Sequence, residues 1–338
     1  LRVARAARAG EPDAVPREEN QMHVAVFGAG TMGHALALVF ALGGHTVRLT
    51  DNDPATLARA PSLMQTALAT LREAGETDWT DAELARHITC HGTVAETLHG
   101  AALVVEAIIE RPDAKRALFA EIDALAGNDV ILASNTSYLD IFPLVPQRRL
   151  PRTLIVHWYT PPYLVDLVDI VGGEQTDPAV ITAARDIVAA LGKVPVVMNR
   201  FITGYIANRI QSAIGLEVQK LIDEGYATAR DIDEAVIHGL ALRLPILGVM
   251  AKADFTGLAL TQDALKNRTY EPPPVRGHSE TLDKLVAEGR TGVLAGRGYF
   301  DWSKHTPEEL FRERDRKLLK LKRALREIGR MEGEGGDA

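Results

Sequence analysis

The sequence predicts an α/β protein: a doubly wound, mostly parallel sheet with a helical hairpin insertion, followed by an all-helical domain. Three observations carry this. Short apolar runs alternate with helical patterns from Met22 to about Met198, the order that a parallel sheet wound with helices requires. A longer helical stretch from Pro54 to Ala85, broken between Gly75 and Trp79, interrupts the winding after the second strand. Beyond Asn199 the strand signals stop, and apolar residues from Tyr205 to Leu221 recur at helical spacing. At 338 residues the chain is long enough for two domains with separate cores. The expected division is an extension over 1–21, a wound-sheet domain over 22–198 and a helical domain over 199–338.

Residues Leu1 to Gln21 have neither apolar periodicity nor turn chemistry and are expected to be a disordered extension, with Met22 a candidate start. The Arg-rich opening Leu1 to Arg8 also suits an organellar transit segment, against which stand Glu11, Asp13, Glu18 and Glu19. Strands are expected near 23–27, 46–50, 102–106, 130–134, 153–157, 166–171 and 194–197. The first runs into Gly28-Ala29-Gly30-Thr31-Met32-Gly33, and a helical pattern opens at Ala35. In that setting Gly28 permits the tight turn, Gly30 admits a pyrophosphate to the backbone, and Gly33 lets the helix pack on the strand. The helix N-terminus offers its free N–H groups to phosphates. The second strand, Thr46 to Thr50, ends at Asp51, 18 residues beyond Gly33. A carboxylate there suits the two ribose hydroxyls of NAD and repels the extra phosphate of NADP. NAD is therefore the expected cofactor and the first domain is expected to be Rossmann-type. Asp51 also reads as a helix cap within Asp51-Asn52-Asp53-Pro54.

A net charge of −7 argues against nucleic acid as a partner, since phosphate binding needs a concentrated basic surface. Only Arg312 to Arg330 is strongly basic, and its alternation with Glu and Leu reads as an amphipathic helix. The single cysteine, Cys90 in Ile88-Thr89-Cys90-His91, excludes a disulfide framework or a cysteine-built metal site and is expected in the core. No apolar run reaches the roughly 18 residues of a membrane span and no secretory segment is visible, so no membrane partner and a cytoplasmic location are expected.

Candidate chemistry gathers at the carboxyl ends of the strands, where ligands bind in open parallel sheets. One strand ends in Val104-Val105-Glu106-Ala107-Ile108-Ile109-Glu110, with Lys115 on the helix that follows. Another ends in Ser134-Asn135-Thr136-Ser137. Leu154-Ile155-Val156-His157 leads into the rigid turn Trp158-Tyr159-Thr160-Pro161-Pro162, and the next strand carries Asp169 in an apolar run. Ser134 and Thr136 read as turn formers, and Glu106 as either a polar strand end or part of the site.

With these motifs the chain resembles the 3-hydroxyacyl-CoA dehydrogenase family, which includes dehydrogenases of free hydroxy acids such as gulonate and carnitine. The resemblance runs from Met22 to about Arg330. It rests on Gly28 to Gly33, Val105 to Glu110, Ser134 to Ser137, the His157 turn, Gly204-Tyr205-Ile206-Ala207-Asn208-Arg209, and Gly296-Arg297-Gly298-Tyr299-Phe300-Asp301. It implies His157 as the catalytic histidine, Asp169 as its acid partner, and Ser137 and Asn208 as groups that hydrogen-bond the substrate's hydroxyl and carbonyl oxygens. It also places Glu110 and Lys115 at the nicotinamide-ribose end of the cofactor, with Ala107 and Asn135 nearby. Chemistry agrees: oxidising a secondary alcohol requires a base for its hydroxyl proton, and histidine matches that proton near neutral pH. A carboxylate beside it fixes the tautomer. Asp166 and Asp169 are three apart and face opposite sides of one strand. Asp169, flanked by Val168 and Ile170, is the expected buried partner.

Thr160 stands where the family usually has asparagine, leaving one hydrogen bond for the substrate carbonyl, and Asp169 stands where glutamate is usual. Coenzyme A phosphates are commonly met in the family by basic residues after strand two. Here Asn52 to His87 carries Arg59, Arg72 and Arg86 against Asp53, Glu73, Glu76, Asp78, Asp81 and Glu83, a balance of −3. Arg243 stands where the hydroxy-acid relatives have an arginine and suits a free carboxylate; a helix-end or interdomain salt bridge is the other reading. The leading expectation is NAD-dependent oxidation of a 3-hydroxyacyl-CoA, an activity of fatty-acid metabolism and the commoner one in the family. The alternatives are oxidation of a free 3-hydroxy acid and a non-catalytic NAD-binding role like that of a lens crystallin. By the same resemblance, apolar residues around Ile210, Ile214 and Val218 form the interface of an expected homodimer.

Overall fold

The computed structural model describes residues 21–267, 271–275 and 277–331. The expected extension, save Gln21, lies outside the described residues, as does the polar terminus from Glu332. The chain divides into two compact units, the first ending at Tyr205 and the second beginning at Ile206.

The first unit is built on a sheet of eight strands among the described residues. These are β1 (His23–Phe27), β2 (Thr46–Thr50), β3 (Ile88–Cys90), β4 (Leu103–Glu106), β5 (Ile131–Ser134), β6 (Thr153–Trp158), β7 (Leu167–Gly172) and β8 (Val194–Met198). Their order is β3-β2-β1-β4-β5-β6-β7-β8. Every pairing is parallel except β6 with β7, so β7 and β8 run against the rest. The order reverses between β1 and β4, which opens a crevice beyond their carboxyl ends. β4 and β5 are buried along their whole length, as expected of strands covered on both faces.

Helices α1 (Gly33–Leu42), α2 (Pro54–Glu73), α3 (Asp81–His87), α4 (Val94–Leu98), α5 (Pro112–Leu125) and α6 (Pro178–Ala190) flank the sheet. From Ala35 to Ala41 every residue of α1 is buried, so it is a core helix with no polar face. Asp53 caps α2 by accepting from Ala55 and Thr56 N–H, and Pro54 sits at the first turn, where its missing N–H costs nothing. Ala60, Met64, Ala67, Leu68 and Leu71 form the buried stripe of α2, and they pack it on α1. Gly75 turns the chain at φ 70°, and a Thr80–Glu83 capping box starts α3. The two helices expected on either side of the break are therefore present, and both lie against α1, where a hairpin projecting from the sheet was expected. Phe27, Val104, Phe119, Ile122, Leu132, Ile155, Val171 and Tyr205 share one buried cluster. Each such aliphatic or aromatic side chain contributes about 1.5–3 kcal/mol on burial.

Two sequence expectations need correction. β3 was not anticipated: Ile-Thr-Cys is too short to show a period, yet Ile88 is buried and pairs with Val47. Cys90 is exposed and not a core residue, because it ends this edge strand.

The second unit is helical: α7 (Ala207–Asp223), α8 (Ala229–Ala235), α9 (Leu244–Leu247), α10 (Met250–Thr256), α11 (Leu258–Lys266), α12 (Glu280–Ala287) and α13 (Pro307–Ile328). Gly248 and Gly257, both at positive φ, terminate α9 and α10. Ile210 and Ile214 along α7 and Ile206 just before it are exposed, as are Leu242, Met250, Phe255, Leu258 and Leu265. Among the described residues no single helix is long and apolar enough to cross a membrane.

Candidate active site

The glycine turn lies at the switch point between β1 and β4. Gly28 has φ 96°, and a Cβ there would sit 2.5 Å from the carbonyl oxygen of Ala107, the residue that follows β4. A Cβ on Gly33 would lie 1.6 Å from Gly28 O, so only glycine lets α1 start this close to β1. A Cβ on Gly30, by contrast, would meet nothing within 4 Å. The three glycines thus do different work: two close the turn, and the third leaves an open backbone face. Met32 precedes α1 without a side-chain cap, which leaves the first N–H groups to a ligand. Asp51, at the end of β2, accepts from Ala29 N–H (2.7 Å) and Asp53 N–H (2.9 Å), which pins its carboxylate against the glycine turn. It does not cap α2; Asp53 does. These residues suit a dinucleotide: an open turn for a pyrophosphate and a carboxylate for ribose hydroxyls.

Beside this turn, antiparallel pairing places Asp169 directly across from His157. His157 Nδ1 lies 3.2 Å from Asp169 Oδ2. The carboxylate only accepts, so Nδ1 carries the proton and Nε2 is the free acceptor of the neutral ring. Ser137 Oγ lies 3.1 Å from Nε2, which gives the chain of contacts Ser137–His157–Asp169. Both members of the pair are buried. Asp166 lies just before β7 and pairs with Lys193 at 3.3 Å.

A second polar network supports Ser137 from below. Glu106 is 0% exposed, yet its carboxylate meets Lys115 Nζ at 2.5 Å and accepts from Ser134 Oγ at 2.5 Å and Ile108 N–H at 2.9 Å. Lys115, 1% exposed, also reaches Glu110 at 3.3 Å. Glu110 accepts from Thr136 Oγ1 and from the N–H groups of Ser137 and Tyr138. Burial alone would raise the Glu110 carboxyl, but the Thr136 hydroxyl, the Tyr138 and Ser137 N–H groups and the Lys115 charge outweigh it and hold it below the ordinary carboxylate value. Asn135 Oδ1 accepts from Trp158 N–H at 2.8 Å and ties the end of β5 to the end of β6.

The structure brings together Gly28 to Gly33, Asp51 and Ala107 at the turn, and Glu110, Lys115, Asn135, Ser137, His157 and Asp169 beside it. Thr160 faces the turn, its hydroxyl 3.0 Å from Met32 Sδ. Asn208, in the first turn of α7, and Arg243, whose Nε donates to Gly239 O, belong to the second unit. Sequence reasoning missed the buried partners. Tyr205, held at φ 51°, donates to Thr136 O at 2.6 Å and stacks its ring 4.6 Å from that of His157. Burial pushes its phenol far above the ordinary value. Tyr159 donates to Asp169 Oδ2 at 2.7 Å. Ser134, read as a turn former, is a buried donor to Glu106; the register pairing of Glu106 with Ser134 is the signal that links them.

A glycine turn at the switch point of a wound sheet, an acid after β2 and a histidine–carboxylate pair beyond β6 define an NAD-dependent oxidoreductase that acts on a hydroxyl group. Family comparison agrees in both units: residues 23–201 match the NAD binding domain of 3-hydroxyacyl-CoA dehydrogenase, and 204–302 match its C-terminal domain. The chain belongs to the 3-hydroxyacyl-CoA dehydrogenase family. It is 34% identical to an L-carnitine dehydrogenase of Nocardiopsis dassonvillei, across 93% of this chain and 96% of the relative. It is 30% identical to a 5-formyl-3-hydroxy-2-methylpyridine 4-carboxylate 5-dehydrogenase of Mesorhizobium japonicum, across 90% of this chain and 98% of the relative. A solved structure of a dehydrogenase of that pyridine carboxylate, described as an NAD+ dependent dismutase, superposes with a TM-score of 0.81 at 27% identity, covering 92% of this chain and all of the other.

Proposed function

We propose that the chain oxidises the hydroxyl group of a free hydroxy acid with NAD, and that His157 is its general base. The observation that carries the free-acid reading is the charge of the segment that holds α2 and α3. Its three arginines face six acids between Asn52 and His87, and one of the three, Arg72, is already paired with Asp81 at 3.2 Å. Such a surface repels a polyanionic nucleotide tail. The similarity to the carnitine and pyridine-carboxylate dehydrogenases supports the same reading, in place of the acyl-CoA thioester expected from the family at large.

In this reading NAD, when bound, supplies the hydride acceptor. His157 Nε2 takes the proton of the substrate hydroxyl, in the place where it now meets Ser137 Oγ. Asp169 holds Nδ1–H and stabilises the imidazolium that forms. Ser137 orients the hydroxyl, and Glu110 fixes Ser137 through its backbone N–H. Asn208 is assigned to the second substrate oxygen, Thr160 to a further hydrogen bond and Arg243 to the substrate carboxylate. A homodimer built on the second unit also belongs to this proposal: its exposed apolar side chains along α7, α10 and α11 suit a copy of the chain.

The test follows NADH formation with L-carnitine, L-gulonate and other free 3-hydroxy acids beside L-3-hydroxybutyryl-CoA. Turnover of a free acid, lost in His157→Gln and weakened in KM by Arg243→Gln, is the expected result. Turnover of the thioester alone refutes the free-acid reading, and a near-normal rate in His157→Gln refutes the assignment of the base.

A further inference from the structure

We infer that Tyr159 is a positioning residue, sharing the Asp169 carboxylate with His157 and thereby setting the pH range over which His157 accepts a proton. The inference rests on the reading of His157 as the general base.

Asp169 is wholly buried, and among the described residues its Oδ1 has no hydrogen-bond partner. The hydrogen bonds that the described residues give this carboxylate fall on Oδ2, which takes two donors: His157 Nδ1–H at 3.2 Å and the Tyr159 hydroxyl at 2.7 Å. The shorter bond is the tyrosine's. Strand geometry puts it there. His157 and Asp169 are a direct cross-strand pair, and the residue two beyond His157 points to the same face and meets Asp169 on the diagonal. The Tyr159 ring stands edge-on to the imidazole, with centroids 4.6 Å apart.

A carboxylate oxygen that already accepts a strong hydrogen bond is a weaker partner for an imidazolium. Among the described residues, removing the Tyr159 hydroxyl leaves His157 as the only donor to a buried anion, so the protonated ring gains. The other groups facing the pair come from different elements. Tyr205 packs its ring on the imidazole, with its hydroxyl on Thr136 O and Asp140 acting on it at longer range. Glu110 stands behind Ser137 through the Ser137 N–H, and its charge is met by Lys115. None of them takes the place of Tyr159 on Oδ2.

The experiment uses the full chain. Histidine-labelled protein is titrated by NMR, with the His157 ring signal assigned by its loss in His157→Gln. In Tyr159→Phe, which keeps the ring contact, the midpoint of that signal is expected to rise by about one pH unit, the scale of one hydrogen bond to a charged group. Tyr159→Met, which fills the space without a hydroxyl, is the second variant. The acid limb of kcat/KM for oxidation moves the same way, while KM for NAD stays put. In an Asp169→Asn background the Tyr159→Phe change has no further effect. An unmoved or lowered midpoint overturns the inference, as does an equal shift in both backgrounds. A midpoint that rises in a protein turning over no free hydroxy acid supports this inference and removes the free-hydroxy-acid reading. An unmoved midpoint in an active enzyme does the reverse.

Discussion

Replacing Lys115 by methionine removes the cation that Glu106 and Glu110 share. Truncating one partner of a buried ion pair costs about 3–5 kcal/mol, because an uncompensated charge stays behind. Here the charge left is Glu106, at 0% exposure. It keeps the bonds from Ser134 Oγ and Ile108 N–H, which places the loss near the lower end, at about 3 kcal/mol. Glu106→Gln is milder. Its amide oxygen still accepts from Ile108, and Lys115 retains Glu110 at 3.3 Å, so about 1–2 kcal/mol is expected. The double variant Glu106→Gln/Lys115→Met carries no buried charge at that point and is expected to be more stable than Lys115→Met alone. Urea unfolding, followed through the fluorescence that includes buried Trp158 on β6, reads all three against the parent. A Lys115→Met loss below about 1 kcal/mol refutes the reasoning. So does a double variant less stable than the single.

The glycine turn gives a paired test. Gly33→Ala drives a methyl to 1.6 Å from Gly28 O and should lower stability by about 3 kcal/mol or more. Gly30→Ala meets nothing within 4 Å, so stability should hold within about 0.5 kcal/mol while NAD affinity falls at least about tenfold; thermal melts and calorimetric titration with NAD check both. Stability should also decline in acid. Burial holds His34 and His45 below the ordinary 6.5, in His34 against its bond to Gly30 O, so the unfolded chain binds protons that the folded one refuses. Their contribution is present above 6.5 and is lost as pH falls through and below it, with Glu110 adding a further loss below 4.5. Melting temperatures across that range should fall less steeply in His45→Gln, and an unchanged slope refutes the assignment.

The wound sheet was legible because its signals are local: an apolar strand, a glycine turn and a core helix follow one another between His23 and Leu42. The pairing of His157 with Asp169 was legible from the family resemblance and from the apolar neighbours Val168 and Ile170, alternation showing only that Asp166 and Asp169 face opposite sides. Glu106 was ambiguous for a different reason. An acid closing an apolar strand shows its burial only through its partners, and these come from Lys115 on α5 and Ser134 on β5. Tyr159 and Tyr205 have no role legible in the sequence, since their hydroxyls find Asp169 and Thr136 only through the fold. β3 is three residues long, and no period can be read from three residues.

The single antiparallel step in the sheet has a consequence for how such an enzyme changes over time. His157 and Asp169 are joined by backbone register between β6 and β7, not by the residues that link the two strands. The segment from Thr160 to Asp166 can therefore vary in length and composition without separating the base from its acid. One residue added inside β7 cannot be tolerated in the same way, because it would turn Asp169 to the opposite face. Reaction chemistry and the loop beside it are thus separately heritable.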